Sequence, residues 1–291
     1  MTHRRLLVRL RMRVEEGTVM GIGSCLRALP RSWAHALGRT LGGMSELWLV
    51  SHRKRAQSQL RGALDLTESE AQRTTTLMFR ELGARAVELI RTDEAEAYRR
   101  MHLATAARQV LDGVRARRKG ALIVAGHLGP WEVMAARLAR EFPVAAVVVG
   151  AHPHPPIQRW LVRRRESMGI RTIIRGRWET PFRIRATLSA GGAVGALLDQ
   201  STRVPSVAVP FFGRPAPTPT GMVSWAQRFE VPLLMAWPVD GPEAGAEIIH
   251  LSPIPSSDPF EALVRVQGIL EREVRRAPHR WVWLHNRWSP R

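Results

Sequence analysis

The sequence predicts an α/β fold in which a largely parallel central sheet is covered by helices on both faces and is preceded by a layer of helices. Two observations lead to this prediction. From about residue 121 onward, short apolar runs alternate with segments of helical periodicity, and this alternation is typical of parallel strands that are joined by helices. Upstream of residue 120, apolar residues recur mainly at helical spacing.

The N-terminal layer is predicted from the spacing of its large apolar residues. Its clearest helix follows Thr67-Glu-Ser-Glu70, which offers a cap and acidic residues for a first turn. The apolar residues of this helix, Leu82 and Leu89 among them, form a stripe that is most simply explained as core. The predicted helices cover residues 32–50, 53–64, 67–91 and 104–117.

The second part of the chain supplies the predicted sheet. Each predicted strand is short and apolar, and turn residues or a helical segment bound it. The predicted strands cover residues 121–125, 144–149, 172–174, 193–198, 231–237 and 247–251, and the predicted helices cover residues 130–140, 156–168, 180–190, 220–229 and 259–276. Because no internal repeat or low-complexity linker interrupts this series, we expect a single domain over residues 31–291.

The first residues, 1–30, form a predicted membrane-associating segment. Arginines alternate with aliphatic residues up to Val14, and a modest apolar stretch runs from Thr18 to Leu29 with Arg27 inside it. This stretch is too short and too charged for a membrane span, whereas an amphipathic helix lying in the membrane surface suits it. An ordinary amphipathic helix docked on the protein's own core is the alternative.

The chain is strongly basic, with a formal net charge of +19 and a pI of about 11.7, and such a charge calls for an anionic partner. Of its 44 Lys and Arg residues, only Lys54 and Lys119 are lysines, and arginine suits repeated forked contacts to phosphate or carboxylate. The single cysteine, Cys25, excludes an intrachain disulfide and gives no sign of an oxidising compartment. We expect its thiol to be buried or membrane-facing.

The segment Gly126-His-Leu-Gly-Pro-Trp-Glu132 follows a predicted buried strand and leads into a predicted helix. His127 is therefore expected at the carboxyl end of a strand, where the sites of such sheets gather. Glu132 is close enough in sequence for its carboxylate to face the imidazole after a bent loop. An imidazole held by a carboxylate can remove a proton from a hydroxyl near neutral pH. A capping or core histidine beside a surface glutamate is the alternative.

A second polar pair, Asp199-Gln200, ends another predicted strand, so Asp199 is expected on the same sheet edge as His127. Three further stretches stand out: the apolar Val-Pro-Phe-Phe-Gly at 209–213, the arginines at 163–165, and the aromatic and cationic segment 280–288. Taken singly, each is explained more simply as a helix cap, a core loop, a solvated charged surface or a packed aromatic tail.

Taken together and in this order, these stretches resemble the bacterial lipid A biosynthesis acyltransferases, the late lauroyl and myristoyl acyltransferase family within the wider glycerolipid acyltransferases. The resemblance covers nearly the whole chain and is carried by Gly-His-x4-Glu at 126–132, Asp-Gln at 199–200, Val-Pro-Phe-Phe-Gly at 209–213 and Trp-Leu-His-Asn-Arg at 283–287. Two departures matter. The N-terminal stretch is shorter and more charged than the family's membrane helix, so surface attachment is expected, and Gln59 stands where the family has an asparagine, so no role is carried over there.

The resemblance implies an O-acyltransferase without a cofactor. Such an enzyme moves a fatty acyl chain from an acyl thioester, on acyl carrier protein or CoA, to a hydroxyl of an anionic membrane glycolipid such as a lipid A precursor. It would lie peripherally on the cytoplasmic face of the bacterial inner membrane, in contact with the membrane surface. By resemblance, His127 would be the catalytic base and Glu132 its partner. The substrate-binding residues would be Arg164, Arg165, Asp199 and Gln200.

The chemistry expected of this arrangement is a direct acyl transfer, because no plausible serine or cysteine nucleophile accompanies the pair. Backbone N–H groups around Gly129 to Trp131, or a nearby arginine, are expected to bind the oxyanion. Phe211 and Phe212 could line an acyl channel, although packing explains them as well. Another glycolipid or a phospholipid stays open as the acceptor.

Two other classes of function are disfavoured. A metal enzyme would use His127 with Glu132, or His152 and His154, but no complete ligand set has the expected spacing, so no metal is expected. The charge and the ten tryptophans motivate a non-enzymatic nucleic-acid binder. No recognised nucleic-acid module is present and the basic residues are dispersed, so no nucleic-acid partner is expected.

Overall fold

The computed structural model describes residues 21, 23, 25–117, 119–243 and 245–289. The predicted membrane-associating segment, residues 1–30, therefore lies largely outside the described residues. Within the described part of the chain, no helix combines the length and the apolar character needed to cross a membrane. The thiol of Cys25, which we expected to be buried or membrane-facing, is exposed.

A group of helices lies upstream of residue 120. They are α1 (Arg31–Trp48), α2 (Val50–Leu64), α3 (Glu68–Arg91), α4 (Glu94–Arg100) and α5 (Thr105–Ala116). The predicted start of α3 is confirmed, because Thr67 Oγ1 accepts a hydrogen bond from Glu70 N at 3.3 Å while Glu70 Oε2 accepts one from Thr67 N at 2.8 Å. This reciprocal cap satisfies two backbone donors at the helix start.

Helices α1 and α3 approach each other closely because glycines line their contact. A Cβ atom on Gly42 would lie 2.2 Å from the carbonyl oxygen of Phe79, and one on Gly38 would lie 2.7 Å from that of Gly83. Backbones can approach this closely only where side chains are absent. Where the two helices are closest, the inner face of α1 is therefore made of glycines.

The strands are β1 (Met101–Leu103), β2 (Ala121–Ala125), β3 (Ala145–Val149), β4 (Ile170–Ile174), β5 (Ala193–Leu197), β6 (Ser206–Phe211), β7 (Arg214–Pro219), β8 (Leu233–Asp240) and β9 (Glu247–Ile254). Seven of them form the central sheet in the order β1-β9-β8-β2-β5-β3-β4, and β6 and β7 form a separate antiparallel hairpin. Within the central sheet only the β8–β9 pair is antiparallel. The predicted α/β fold with a largely parallel sheet is confirmed.

Helices from the second part of the chain cover both faces of the sheet. They are α6 (Trp131–Ala139), α7 (Pro155–Glu166), α8 (Thr180–Ser189), α9 (Gly221–Phe229) and α10 (Pro259–Arg276). Leu122 and Val124 of β2 lie in an apolar cluster with α9 and α10, whereas Ile123 and Ala125 lie in a cluster with α5 and α6. Because alternate residues of a strand point to opposite faces, this buried strand separates two cores.

Helix α4, strand β1 and the hairpin of β6 and β7 were not predicted from the sequence. Helix α4 and strand β1 are short, with 7 and 3 residues, so neither offers enough residues to show a periodicity. The hairpin of β6 and β7 contains Pro210, Pro215, Pro217 and Pro219, and its second strand resembles a loop because proline is rare inside sheets. The hairpin lies outside the central sheet, where proline is tolerated.

Candidate active site

The loop after β2 brings His127 to the carboxyl edge of the sheet. Gly126 has no room for a side chain, since a Cβ atom there would lie 2.7 Å from Leu270 Cδ1 of α10. Gly129 has a φ of +61°, and a Cβ atom there would lie 2.7 Å from Pro238 Cγ. Only glycine suits both the left-handed conformation and the close contact.

The C-terminal segment holds this loop in place. The N–H of Val282 donates to the carbonyl of His127 at 3.2 Å, and the N–H of Gly129 donates to the carbonyl of Arg280 at 3.1 Å. Arg85 Nη1 donates to the carbonyls of both Gly129 and Arg280, at 2.9 and 2.8 Å. Because the Gly129 N–H already has a partner, it is not available to bind an oxyanion, which corrects that part of the sequence-based expectation.

Asp199 is the carboxylate that holds the imidazole of His127. Its Oδ1 lies 2.8 Å from His127 Nδ1, while its Oδ2 accepts hydrogen bonds from His127 N at 2.6 Å and from Trp281 Nε1 at 2.7 Å. Burial alone would raise the pKa of the Asp199 carboxyl, but the neighbouring His127 and these hydrogen bonds outweigh burial and bring the pKa to about 2. The carboxylate is therefore ionised at neutral pH.

This pairing fixes which nitrogen of His127 is basic. Since an ionised carboxylate can only accept, neutral His127 carries its proton on Nδ1 and leaves Nε2 as an acceptor. Gln200 Nε2 lies 3.3 Å from His127 Nε2, and the Trp131 ring packs edge-on against the imidazole with 5.1 Å between ring centroids. With this tautomer the Gln200 amide donates to His127 Nε2, and a substrate hydroxyl displaces this hydrogen bond when it reaches the base.

Glu132 does not hold the imidazole, contrary to the sequence-based expectation. Its carboxylate forms a forked ion pair with Arg165, with Arg165 Nε 3.0 Å from Oε2 and Arg165 Nη2 2.6 Å from Oε1. The physical reason is that helix α6 has already begun at residue 131, and its first turn directs the Glu132 side chain toward α7. Asp199 takes the place beside His127 because β5 pairs with β2, with Leu197 opposite Ala125.

Arg164 and Arg165 are neighbours in sequence but serve different parts of the molecule. Arg164 Nε donates to the carbonyl of Leu89 at 2.6 Å, and its Nη2 donates to the carbonyl of Thr92. These carbonyls lie at the end of α3. Successive helix residues point about 100° apart, so Arg165 faces the site while Arg164 ties α7 to α3. The structure therefore places Arg165, and not Arg164, beside His127.

A cavity of about 430 Å³ extends from His127 between the sheet and helices α6 and α7. Its inner part is lined by aliphatic residues near the amino ends of the strands, namely Leu138, Ala139, Ala145, Ile170 and Ala193. Its outer part, at the carboxyl edge, is lined by polar residues, namely His127, Glu132, His152, Gln158, Arg165, Arg175, Gln200 and Thr202. Gly150, Ala151 and Arg175 at this outer end are exposed, so the cavity opens at the edge that carries His127.

Phe211 and Phe212 do not line this cavity, so they do not form the acyl channel that the sequence left open as an alternative to packing. Both are buried on the other side of the sheet, with 0% and 6% of their surfaces exposed. Phe211 packs against Trp281 and Trp288, at 5.5 and 6.0 Å between ring centroids. Packing therefore explains these two residues.

Several residues that build the site were given no role there from the sequence. Trp281 donates to Asp199, and Arg85 holds the loop by donating to Gly129, 44 positions further along the chain. Gln59 Nε2 donates to the carbonyls of Trp283 and His285 at 2.7 and 2.9 Å, so it secures the C-terminal segment. These contacts join residues far apart in the chain, which local patterns do not reveal.

The site has no visible arrangement for a metal ion. Among the described residues, no group of three or more His, Cys, Asp or Glu side chains is placed to hold one. His152 and His154, which the sequence offered as ligands, lie with ring centroids 5.6 Å apart. His152 Nδ1 accepts a hydrogen bond from the N–H of His154 at 3.1 Å, so this contact stabilises the loop that contains both residues.

The low pKa of Asp199 predicts a pH-dependent contribution to stability. Its pKa falls from 3.8 to about 2 on folding, so its ionisation stabilises the folded state above about pH 4 and loses this effect as the pH falls toward 2. Asp199→Asn removes the titrating group. We expect the difference between wild type and this variant in the free energy of unfolding, measured by urea titration, to shrink as the pH is lowered through this window. A difference that does not change with pH would contradict the buried, ionised carboxylate.

The fold and the site together define a class of enzyme. An imidazole held by a buried carboxylate, in a cavity with an aliphatic interior, is the arrangement of a general base that acts on a hydroxyl beside an apolar substrate. The comparison with known families agrees. Residues 7–289 match the bacterial lipid A biosynthesis acyltransferases, and the chain belongs to this family. No curated protein matches the chain significantly.

Proposed function

We propose that this acyltransferase moves a fatty acyl group from an acyl thioester, carried by acyl carrier protein or CoA, to a hydroxyl of a membrane glycolipid such as a lipid A precursor, as a late lipid A O-acyltransferase does. The observation that carries the proposal is the position of His127 where the polar and aliphatic parts of one cavity meet. A base at this boundary lies beside the carbonyl of a thioester whose acyl chain occupies the inner part of the cavity.

The inner part of the cavity is suited to bind the acyl chain of the donor. Along β5, its lining extends from Leu197 to Ala193, which at about 3.3 Å per residue corresponds to about 13 Å of depth. Its walls are aliphatic over this distance, and burying an alkyl chain there is favourable in proportion to the apolar area removed from water. The thioester carbonyl would then lie at the level of His127.

The reaction is a single displacement. The acceptor hydroxyl donates its proton to His127 Nε2 as its oxygen attacks the thioester carbonyl, and Asp199 stabilises the imidazolium through Nδ1. The tetrahedral intermediate collapses, its carbon–sulfur bond breaks, and the imidazolium returns the proton to the departing thiolate. The products are an ester and a free thiol, and His127 is neutral again.

The negative charge on the attacked carbonyl oxygen needs donors. Arg165 lines the cavity beside His127, and its forked pair with Glu132 fixes the plane of the guanidinium while using only part of its five N–H groups. The first turn of α6 adds backbone N–H groups that a helix leaves without internal partners. We assign Glu132 the role of positioning Arg165 for this oxyanion.

The residues that line the site disfavour a mechanism in which the acyl group is first bound covalently to the enzyme. Among the described residues that line the cavity there is neither a serine nor a cysteine. Ser201, the nearest serine in sequence to Asp199, is buried and donates to the carbonyl of Ser289 at 3.0 Å. The acceptor hydroxyl is therefore the nucleophile that His127 activates.

The surface of α1 supports attachment to a membrane. Its buried residues are Ala34, Gly38, Gly42 and Glu46, whereas its large apolar side chains are exposed, with Trp33 at 70% and Trp48 at 78% exposure. The exposed apolar residues of this helix also include Leu37, Leu41, Met44 and Leu47. Such a helix is suited to lie in the headgroup region of a bilayer, on what we propose to be the cytoplasmic face of the inner membrane.

The net charge of +19 supports anionic partners. Both lipid headgroups bearing phosphate and an acidic carrier protein fit a surface rich in arginine. We therefore propose a membrane surface, an anionic glycolipid acceptor and an acyl carrier protein or CoA donor as partners, without a nucleic acid. The residues of the site need no cofactor for this reaction.

A chain-length experiment tests this function. Purified protein is given a series of labelled acyl thioesters of increasing chain length and a dispersed lipid A precursor, and acylated glycolipid is measured. Gly195, midway along β5, lines the cavity, and a Cβ atom there would meet Val147 Cγ1 at 3.4 Å. We expect Gly195→Val to shift the preference toward shorter chains by about 10- to 200-fold, because its side chain obstructs the inner part.

The short donors provide the internal control, since the variant should still transfer them. Two results would contradict the proposal. One is the absence of acylated glycolipid with the wild type for every chain length. The other is a chain-length preference that Gly195→Val leaves unchanged while its thermal unfolding matches that of the wild type.

A further inference from the structure

The outer part of the cavity contains two buried polar atoms that lack a partner. Within the described residues, Gln158 Nε2 and Thr202 Oγ1 are both buried and neither has a hydrogen-bond partner. Both residues line the cavity that begins at His127. A buried polar group without a partner is costly, and native structures keep few of them. A ligand that enters the cavity could satisfy both atoms.

The orientation of the Gln158 amide is fixed. Its Oε1 accepts a hydrogen bond from the N–H of His152 at 2.7 Å, so its Nε2 is the atom that stays free to donate. Gln158 lies in the first turn of α7, and Thr202 follows Asp199 by three residues in the loop after β5. Both elements start or end at the carboxyl edge of the sheet. The two atoms therefore belong to the part of the cavity between His127 and solvent.

These atoms suit a ligand that carries amide groups. Gln158 Nε2 can only donate, so it matches a carbonyl oxygen, whereas a threonine hydroxyl can donate to a carbonyl or accept from an N–H. Both atoms are buried, so a thin flexible chain can reach them more readily than a bulky sugar headgroup. Pantetheine, the arm on which both acyl carrier protein and CoA present the acyl group, is a thin chain with two amides.

We propose that Gln158 and Thr202 form a binding site for the amide groups of the pantetheine arm of the acyl donor. This inference rests on the proposed function, since it assumes a thioester donor whose acyl chain occupies the inner cavity. The arm then extends from the thioester at His127 to the exposed mouth near Gly150 and Arg175. Both carrier-bound and CoA-bound donors share this arm, so the site recognises either.

The test measures binding without turnover. S-octyl pantetheine, a thioether that cannot react, is titrated into the wild-type protein, and so is a thioether of equal length whose amides are replaced by methylene groups. We expect Thr202→Val and Gln158→Met each to weaken binding of S-octyl pantetheine by about two- to tenfold, the effect of one lost hydrogen bond. Binding of the thioether without amides should not change.

Thr172→Val is the matched control. Thr172 Oγ1 is also buried and has no partner among the described residues, but it lies in β4 and does not line the cavity. This variant should bind S-octyl pantetheine as the wild type does. The proposal is overturned if Thr202→Val and Gln158→Met leave the affinity for S-octyl pantetheine unchanged, or if they weaken both thioethers equally. It is also overturned if these two variants weaken binding of the glycolipid but not binding of S-octyl pantetheine.

Failure of the pantetheine site can be distinguished from failure of the proposed acyl transfer. Amide-dependent binding that the two variants weaken, in a protein that transfers no acyl group, would refute the proposed reaction and leave the pantetheine site standing. Acyl transfer with full wild-type donor affinity in both variants would refute the site and leave the reaction standing.

Discussion

Replacing His127 with alanine is expected to lower the rate of acyl transfer by about 10²- to 10⁴-fold, the usual contribution of a positioned general base. The acceptor hydroxyl then has no group that takes its proton as its oxygen attacks. The fold should persist, because Asp199 keeps the hydrogen bonds from the backbone N–H of residue 127 and from Trp281. Initial rates with labelled acyl thioester and dispersed lipid A precursor measure the loss.

His102→Ala is the matched control for this variant. His102 is an exposed residue of the edge strand β1, so its removal should leave the rate unchanged. A His127→Ala protein that transfers acyl groups at the wild-type rate would show that another group serves as the base.

Replacing Asp199 with asparagine is expected to produce a loss of similar size, about 10²- to 10⁴-fold. The asparagine amide cannot accept all three hydrogen bonds that the carboxylate accepts, and its NH₂ group would face a donor. The change also removes the charge that stabilises the imidazolium. His127 would then adopt the wrong tautomer or orientation, so that Nε2 no longer accepts the hydroxyl proton.

Asp112→Asn controls for the amide substitution itself, since Asp112 is an exposed residue of α5 paired with Arg115. It should transfer acyl groups at the wild-type rate. If Asp199→Asn retained most of the wild-type rate, the carboxylate would be shown to hold the loop and not to assist the base.

The architecture could be predicted from the sequence because it depends on periodic burial. Strand β2, with all five residues buried, is a continuous apolar run, and such runs alternating with helical patterns define a parallel sheet. The loop with His127 follows from the same pattern, since a strand end and a helix start fix its place. Strand β1 and helix α4 escaped prediction because they are too short to show a period.

The carboxylate partner of His127 could not be derived from spacing. Glu132 is five residues away in sequence and Asp199 is 72, yet strand pairing brings Asp199 to the imidazole and the start of α6 carries Glu132 to Arg165. That Asp199 emerges at the same sheet edge could be predicted. Which acid makes the contact depends on side-chain direction, which strand register and helix phase decide together.

The residues that hold the backbone of the site in place could not be identified from the sequence, for a different reason. Arg85 lies within a helix whose apolar stripe indicates only core, and its contacts are backbone carbonyls of the loop and of the C-terminal segment. Every residue has a backbone carbonyl, so the sequence does not show which of them accept a hydrogen bond from a distant side chain. The same holds for Gln59, which binds the carbonyls of Trp283 and His285.

The central claim, that Asp199 and not Glu132 holds the base, is tested most directly by the tautomer of His127. Nitrogen-15 NMR of histidine-labelled protein distinguishes an imidazole protonated at Nδ1 from one protonated at Nε2. For neutral His127 we predict a proton on Nδ1 in the wild type and in Glu132→Gln, and a disturbed tautomer in Asp199→Asn. A tautomer that Glu132→Gln disturbs and Asp199→Asn leaves intact would contradict this account.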